Sequence, residues 1–265
     1  MNRKQGVAFS APWALAIISV CMGSVWITPA RAQTAEVKEK PRMYTYVANW
    51  DIPRAHWAEM DKQAVADAKI FDKALSSGGL VAYGDDVNLV HQPDTDTHDT
   101  FWSSMSMAGV LNVLDELHKA GAAAASVLNN ATKHSDTVYV SRFYNWKSGS
   151  MKGAYTHGAS YTLKADAPDD AIDTLSKSFI VPLLERLLAD GTIQEYEVDV
   201  EAIHTEAPNK FWIYWISPTA QGVDKVNAAL GETLKAQPLA GPALASLVDF
   251  GPHRDYLLRT DATYK

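Results

Sequence analysis

The sequence predicts an α+β fold in which one β-α-β-β-α-β module is written twice. Paired features carry that reading. "YVANWDIP" (Tyr46–Pro53) and "YTLKADAP" (Tyr161–Pro168) both read Tyr, four residues, Asp, one residue, Pro, and stand 115 positions apart. Tyr83 and His91 find counterparts in Tyr196 and His204, each 113 later, and "FWSSMS" at Phe101 precedes "FWIYWIS" at Phe211 by 110. "GVLNVLDEL" and "GVDKVNAAL" lie 113 apart, and His134-x-Asp136 precedes His253-x-Asp255 by 119. A near-constant offset across five features in the same order marks a duplication, with loops absorbing the drift.

Each element follows from local pattern. A first strand ends near Trp50 in one half, and "YTHGASYT" (Tyr155–Thr162) supplies its counterpart in the other. The helix after the first places Trp57, Met60, Ala64, Ala68, Phe71 and Leu75 on one face and stops at Gly78-Gly79. The helix after the second places Ile172, Leu175, Phe179, Leu183 and Leu187 on one face and stops at Gly191, with Pro182 expected to kink it or mark an irregular turn. Asp169 and Asp170 suit its N-terminus, where the backbone dipole favours negative charge. Strands then run through "LVAYGDDVNLVH" and "IQEYEVDVEAIH", followed by a polar hairpin and the Phe-Trp strands. A second helix begins at Gly109 and at Gly222, and a last strand follows each His-x-Asp. The Ala-rich stretch Ala120–Asp136 reads as an extension of the first half's second helix, a poor linker for two independent domains. The likeness of "ANW" (Ala48–Trp50) and "YNW" (Tyr144–Trp146) is coincidence in this register, because one closes a first strand and the other a fourth.

The N-terminus reads as an export signal. Arg3 and Lys4 precede the apolar run Trp13–Ile27, too short for a membrane span, and Ala30-Arg31-Ala32 offers a small-x-small cleavage site before Gln33. The expected organisation is a signal peptide over 1–32, a disordered lead-in over 33–42, and repeats over 43–148 and 149–265. Export places the mature chain in the periplasm or outside the cell, free of the membrane. Cleavage would leave 21 bases against 31 acids, moving the formal charge from −7 to −10, a balance that excludes a nucleic-acid partner. It would also remove Cys21, the sole cysteine, and with it any disulfide, thiolate nucleophile, cysteine-bound zinc or covalent c-type haem. The 47% apolar content must then supply a core unaided.

Two strand-helix-strand-strand-helix-strand modules are two ferredoxin-like plaits, each a four-stranded antiparallel sheet with both helices on one face. The bare faces cover one another when the repeats pack sheet to sheet as an intrachain α+β barrel. On the repeated residues above, over about residues 43–262, the chain resembles the dimeric α+β barrel superfamily in its fused form. That resemblance implies proteins as different as cofactor-free monooxygenases, EthD-like and stress-responsive proteins, and haem-binding chlorite-dismutase-like enzymes.

Candidate site residues come from strand parity. In Ile193–His204 the Tyr196-Val198-Val200-Ala202 face is apolar and should meet the helices, leaving Glu195, Glu197, Asp199 and Glu201 toward the barrel or a rim. Gly84, Asp86 and Asn88 share that parity in the first half, so a wet cavity or binding pocket is expected between the sheets. Arg142, Tyr144 and Trp146 fall on one parity and could clamp an anionic or planar ligand, or Arg142 could pair with the acidic row. His91 and His204, at equivalent strand ends, are the residues suited to act as base or ligand. With Tyr83, Tyr196 and Glu197 these complete the candidate set. His134 and His253 read as turn and cap residues.

No metal is expected. "HQPDTDTHDT" (His91–Thr100) lacks the Gly six places from Asp94, and Met105 stands where a calcium loop closes with Glu. Phosphate-loop, Gly-x-Ser-x-Gly and His-Glu-x-x-His signatures are missing from the sequence. Three functions remain: an exported protein binding a small aromatic or anionic molecule, a cofactor-free monooxygenase-like enzyme, and a haem protein using one of the paired histidines. Only the third needs a cofactor, and self-association into a homo-oligomer stays open in all three.

Overall fold

A computed structural model describes residues 37–92, 95–205 and 209–265. The signal peptide and its cleavage after Ala32 fall outside the described residues, as do positions 33–36 of the lead-in. Residues 39–42 lie along the fourth strand: Lys40 N–H donates to Arg142 O at 2.8 Å, and Tyr144 Oη donates to Pro41 O at 2.8 Å.

Eight strands, β1 (Met43–Asp51), β2 (Ala82–Asn88), β3 (His98–Ser104), β4 (Lys133–Trp146), β5 (Gly149–Leu163), β6 (Glu195–Glu201), β7 (Lys210–Ser217) and β8 (Val248–Tyr264), close a barrel in the order β1-β3-β2-β8-β5-β7-β6-β4. All neighbours are antiparallel. Each repeat contributes its strands as fourth-first-third-second. The second strand of each repeat pairs with the fourth strand of the other, so the two sheets join at both edges. Closure leaves no unpaired sheet edge, the usual template for aggregation.

Helices cover the outside. α1 (Trp57–Ser77) and α2 (Met107–Lys119) bury Phe71, Val110, Val113 and Leu117 against Tyr46 and Trp102. In the second repeat α3 (Ala171–Leu175), a π turn (Ser176–Ile180) and α4 (Val181–Ala189) bury Leu183, Leu184 and Leu187 against Tyr196, Val198 and Trp215. Pro182 stands in the first turn of α4, where its missing N–H is least costly, and the π turn absorbs the break expected there. α5 (Ala220–Ala236) completes the layer. α6 (Ala240–Leu247) has no counterpart in the first repeat and no forecast in the sequence. The Ala-rich stretch does not prolong α2: the chain turns at Gly121 and makes two 3-10 turns, Ala122–Ala124 and Leu128–Asn130.

Local devices repeat at the same 113-residue step as the sequence. Tyr83 donates to Asp72 at 2.6 Å, and Tyr196 donates to Glu185 at 2.7 Å. Ser106 caps α2 by accepting from Gly109 N–H, and Thr219 caps α5 by accepting from Gly222 N–H, each at 3.1 Å. These glycines lie hard against the preceding strand: a Cβ at Gly222 would fall 1.9 Å from Ser217 Oγ, and one at Gly109 would fall 2.0 Å from Ser104 Oγ.

Two of the five sequence pairs are out of register. Tyr46 pairs with Trp102, and His157 pairs with Trp215, so Tyr46 corresponds to His157 rather than to Tyr161. Ser104 and Ser217 each donate 2.8 Å to the carbonyl ahead of the second strand, which aligns β3 with β7 at 113 and displaces the Phe-Trp match. The His134/His253 pair holds: each Nδ1 bonds a carbonyl of its first strand, Asn49 O at 3.0 Å and Ser160 O at 2.8 Å.

Candidate functional site

The barrel interior holds a cavity of about 90 Å³ whose lining includes Asp86, Asp99, Glu195, Glu197 and Asp199. The parity argument for β6 holds: Tyr196 and Val198 face the helices, and the acidic row faces inward. Asp86 and Asp199 are related by the duplication. Thr260 Oγ1 donates to Asp86 Oδ1, and Ser141 Oγ donates to Asp199 Oδ1. Burial pushes Asp86 and Asp199 each up to about 7. Burial, then neighbouring carboxylates, raise Asp99, Glu195 and Glu197 well above the usual range. Among the described residues no Lys, Arg or His lines this space, so the interior disfavours an anionic ligand.

Roomier grooves lie between sheet and helices, one in each repeat. The second-repeat groove, about 270 Å³, is walled by Phe179, Leu183, Leu184, Phe211 and Leu230, with His157, Tyr161 and Trp215 on its strand side. The first-repeat groove, about 180 Å³, sets Tyr46, Trp50 and Trp102 at the corresponding strand positions and is more polar, with Gln63, Asp67, His118, His134 and Asp136 in its lining.

At the strand side of the second groove, His157 lies flat on Trp215 with ring centroids 5.0 Å apart. Its Nε2 lies 3.4 Å from Asp255 Oδ1, while His253 Nε2 lies 3.3 Å from Asp255 Oδ2. His253 in turn stacks on Tyr161 at 4.5 Å. Nδ1 of His157 is buried without a partner, while Nε2 is the ring nitrogen beside Asp255. Burial lowers the His157 pKa, so the imidazole is neutral at pH 7. The first repeat builds the same chain with a different lead residue, Tyr46 beside Asp136, Asp136 3.3 Å from His134, and His134 on Trp50 at 3.6 Å. A neutral imidazole oriented by a carboxylate at an apolar wall is the arrangement of a general base.

The sequence candidates scatter. Glu197 lines the interior cavity, with Tyr144 beside it in register. A bulge between Ser141 and Phe143 breaks the parity of β4: Arg142 turns outward to Glu39 and Asp173, while Tyr144 and Trp146 stack at 5.5 Å. Arg142 therefore belongs neither to a clamp with those rings nor to the acidic row. Tyr83 and Tyr196 face the helices through Asp72 and Glu185. His91 and His204 sit exposed three residues beyond β2 and β6 and line none of the three cavities; His91 packs at 5.7 Å on Trp57. His157 was missed altogether, as was the joint role of Asp255 and His253.

A haem does not fit these residues. Neither groove has a Lys or Arg among its described lining to meet propionates, and the one imidazole on the strand side of the larger groove is committed edge-on to Asp255 and face-on to Trp215. No group of three or more described His, Cys, Asp or Glu side chains is arranged to hold a metal, and no described helix is long and apolar enough to cross a membrane.

No family profile and no curated protein sequence matches the chain. Its likeness is to solved structures. A candidate monooxygenase of Lactobacillus acidophilus superposes with a TM-score of 0.62 at 11% identity, over 84% of this chain and 96% of that one. A candidate monooxygenase of Fusobacterium nucleatum gives 0.59 at 6%, over 85% and 95%. An anthrone oxidase-like protein gives 0.51 at 10%, over 85% and 94%. The fold is the dimeric α+β barrel. This chain contains both halves of such a barrel, and identities this low establish its architecture alone.

Proposed function

We propose that this α+β barrel protein is exported and binds a neutral, planar aromatic molecule in the groove between the helices and sheet of its second repeat. One observation carries the reading: a large apolar groove whose strand side presents an aromatic surface, Tyr161 and Trp215, interrupted by a single half-buried imidazole whose Nδ1 is buried without a partner. Aromatic and apolar walls with few polar groups are what small-molecule sites use for affinity and orientation. With no Lys or Arg among the groove's described lining, a neutral ligand is favoured over an anion.

A second reading rests on the His157–Asp255 contact and on the names of the structural neighbours, two monooxygenase candidates and an anthrone oxidase-like protein. There the bound molecule is a substrate, and His157 removes an acidic proton from it while Asp255 steadies the imidazolium. The neutral imidazole is the protonation state that this step needs.

2-Naphthol is a suitable probe, because its neutral and ionised forms absorb at different wavelengths. Titration into the protein should give saturable binding, weakened at least tenfold by Trp215→Ala. Naphtholate absorption of the bound probe, lost in His157→Phe, selects the second reading. Binding of the neutral form with the same absorption spectrum in His157→Phe selects the first. Wild-type and Trp215→Ala proteins that bind equally would remove the groove from both.

A further inference from the structure

The interior cavity is chemically unlike the grooves. We propose that it binds a small organic cation, a short aliphatic diamine, held by Glu195 with Asp86 and Asp199. Glu195 is 2% exposed, faces the cavity, and its Oε1 has no hydrogen-bond partner. A buried acceptor left open costs about 1–3 kcal/mol, a penalty that an N–H donor removes. Asp86 on β2 and Asp199 on β6 come from strands four places apart in the eight-strand ring, on opposite walls. A pseudo-twofold pair of acids suits a guest with a cationic group at each end better than a point charge. The arrangement also disfavours a metal, since three acidic side chains do not converge on one point among the described residues. At about 90 Å³ the cavity offers about six to nine water-sized positions, enough for the six heavy atoms of butane-1,4-diamine. Phe101, Tyr139 and Tyr214 provide ring faces for its methylenes and ammonium groups.

Binding is an exchange. The ionisable groups facing the cavity are Asp86, Asp99, Glu195, Glu197, Asp199, Tyr139, Tyr214 and Tyr264; burial keeps Asp99, Glu195 and Glu197 protonated near neutrality and leaves Asp86 and Asp199, each at about 7, partly protonated there. A dication that enters holds two carboxylates ionised beside it, and whatever protons they carried pass to solvent, fewer as the pH rises. Calorimetry with butane-1,4-diamine should show one site, a heat that differs between phosphate and Tris through proton release, and tighter binding at pH 8 than at pH 6. Glu195→Gln and Asp199→Asn, neutral isosteres that preserve the fold, should each weaken it tenfold or more, and butane-1,4-diol should not bind. Four results overturn the proposal: no heat at millimolar diamine, equal affinity in the two variants, a diol that binds as well, or acid-dependent binding of calcium in place of the diamine. Because the wild-type buffer comparison needs no variant, a variant that fails to fold leaves the test intact.

Discussion

Replacing Asp86 by Asn tests the electrostatics of the interior most sharply. Asp86 is buried, accepts from Thr260, and is raised from an ordinary 3.8 to about 7, first by burial and then by Asp85 and Asp261. At about 1.4 kcal/mol per tenfold step, that change costs the ionised form about 4 kcal/mol. The sign follows from a folded pKa above the unfolded one. The native state prefers the proton, so the stability linked to Asp86 is fully present below pH 3.8 and is lost as pH rises through about 7. Asparagine keeps the shape and the acceptor for Thr260 and cannot ionise. The variant should match wild type near pH 4 and exceed it at pH 8, by at most about 4 kcal/mol. Urea unfolding followed by tryptophan fluorescence at both pH values measures the difference. A variant equally displaced at pH 4 and pH 8, or less stable at pH 8, would refute the placement of Asp86 in a buried interior without Lys, Arg or His among its described lining.

Three further substitutions probe the scaffold. Gly222→Ala should lower stability by about 1–3 kcal/mol, since its methyl meets Ser217 Oγ and the Thr192 carbonyl; adding Ser217→Ala should recover part of the loss, read by the same urea midpoint. Tyr196→Phe should cost about 1 kcal/mol through the lost bond to Glu185 and leave naphthol binding unchanged, because Tyr196 is not among the residues that line the groove. Arg142→Ala should shift stability by less than about 1 kcal/mol, its pairs with Glu39 and Asp173 being partly solvated.

Strict alternation made β6 legible: four acidic residues alternating with three apolar ones can be satisfied only by one face against the helices and one toward the interior. Residues buried on both faces gave no such signal, and there the alignment of the repeats misled. Matching Tyr46 with Tyr161 set His157 opposite Arg42, where it carried no message; the register of β5 against β7 sets it opposite Tyr46. Only then do His157-Asp255-His253 and Tyr46-Asp136-His134 emerge as two versions of one chain of contacts. β5 and β8 are also longer than their partners in the first repeat and carry bulges, which neither composition nor period encodes. The bulge in β4 likewise moved Arg142 off the face shared by Tyr144 and Trp146. Bends of this kind are set by how eight strands close, a property of the whole ring.

Fluorine NMR of the protein labelled with 5-fluorotryptophan tests the account most directly, since each cavity has an indole at its wall. Trp215 lies at the second-repeat groove, Trp102 at the first-repeat groove, and Trp212 packs at 5.0 Å on Tyr139 in the interior. Added 2-naphthol should shift the Trp215 resonance and leave Trp102 and Trp212 in place. Movement of Trp212 or Trp102 with Trp215 unchanged would contradict the assignment of the ligand to the second repeat.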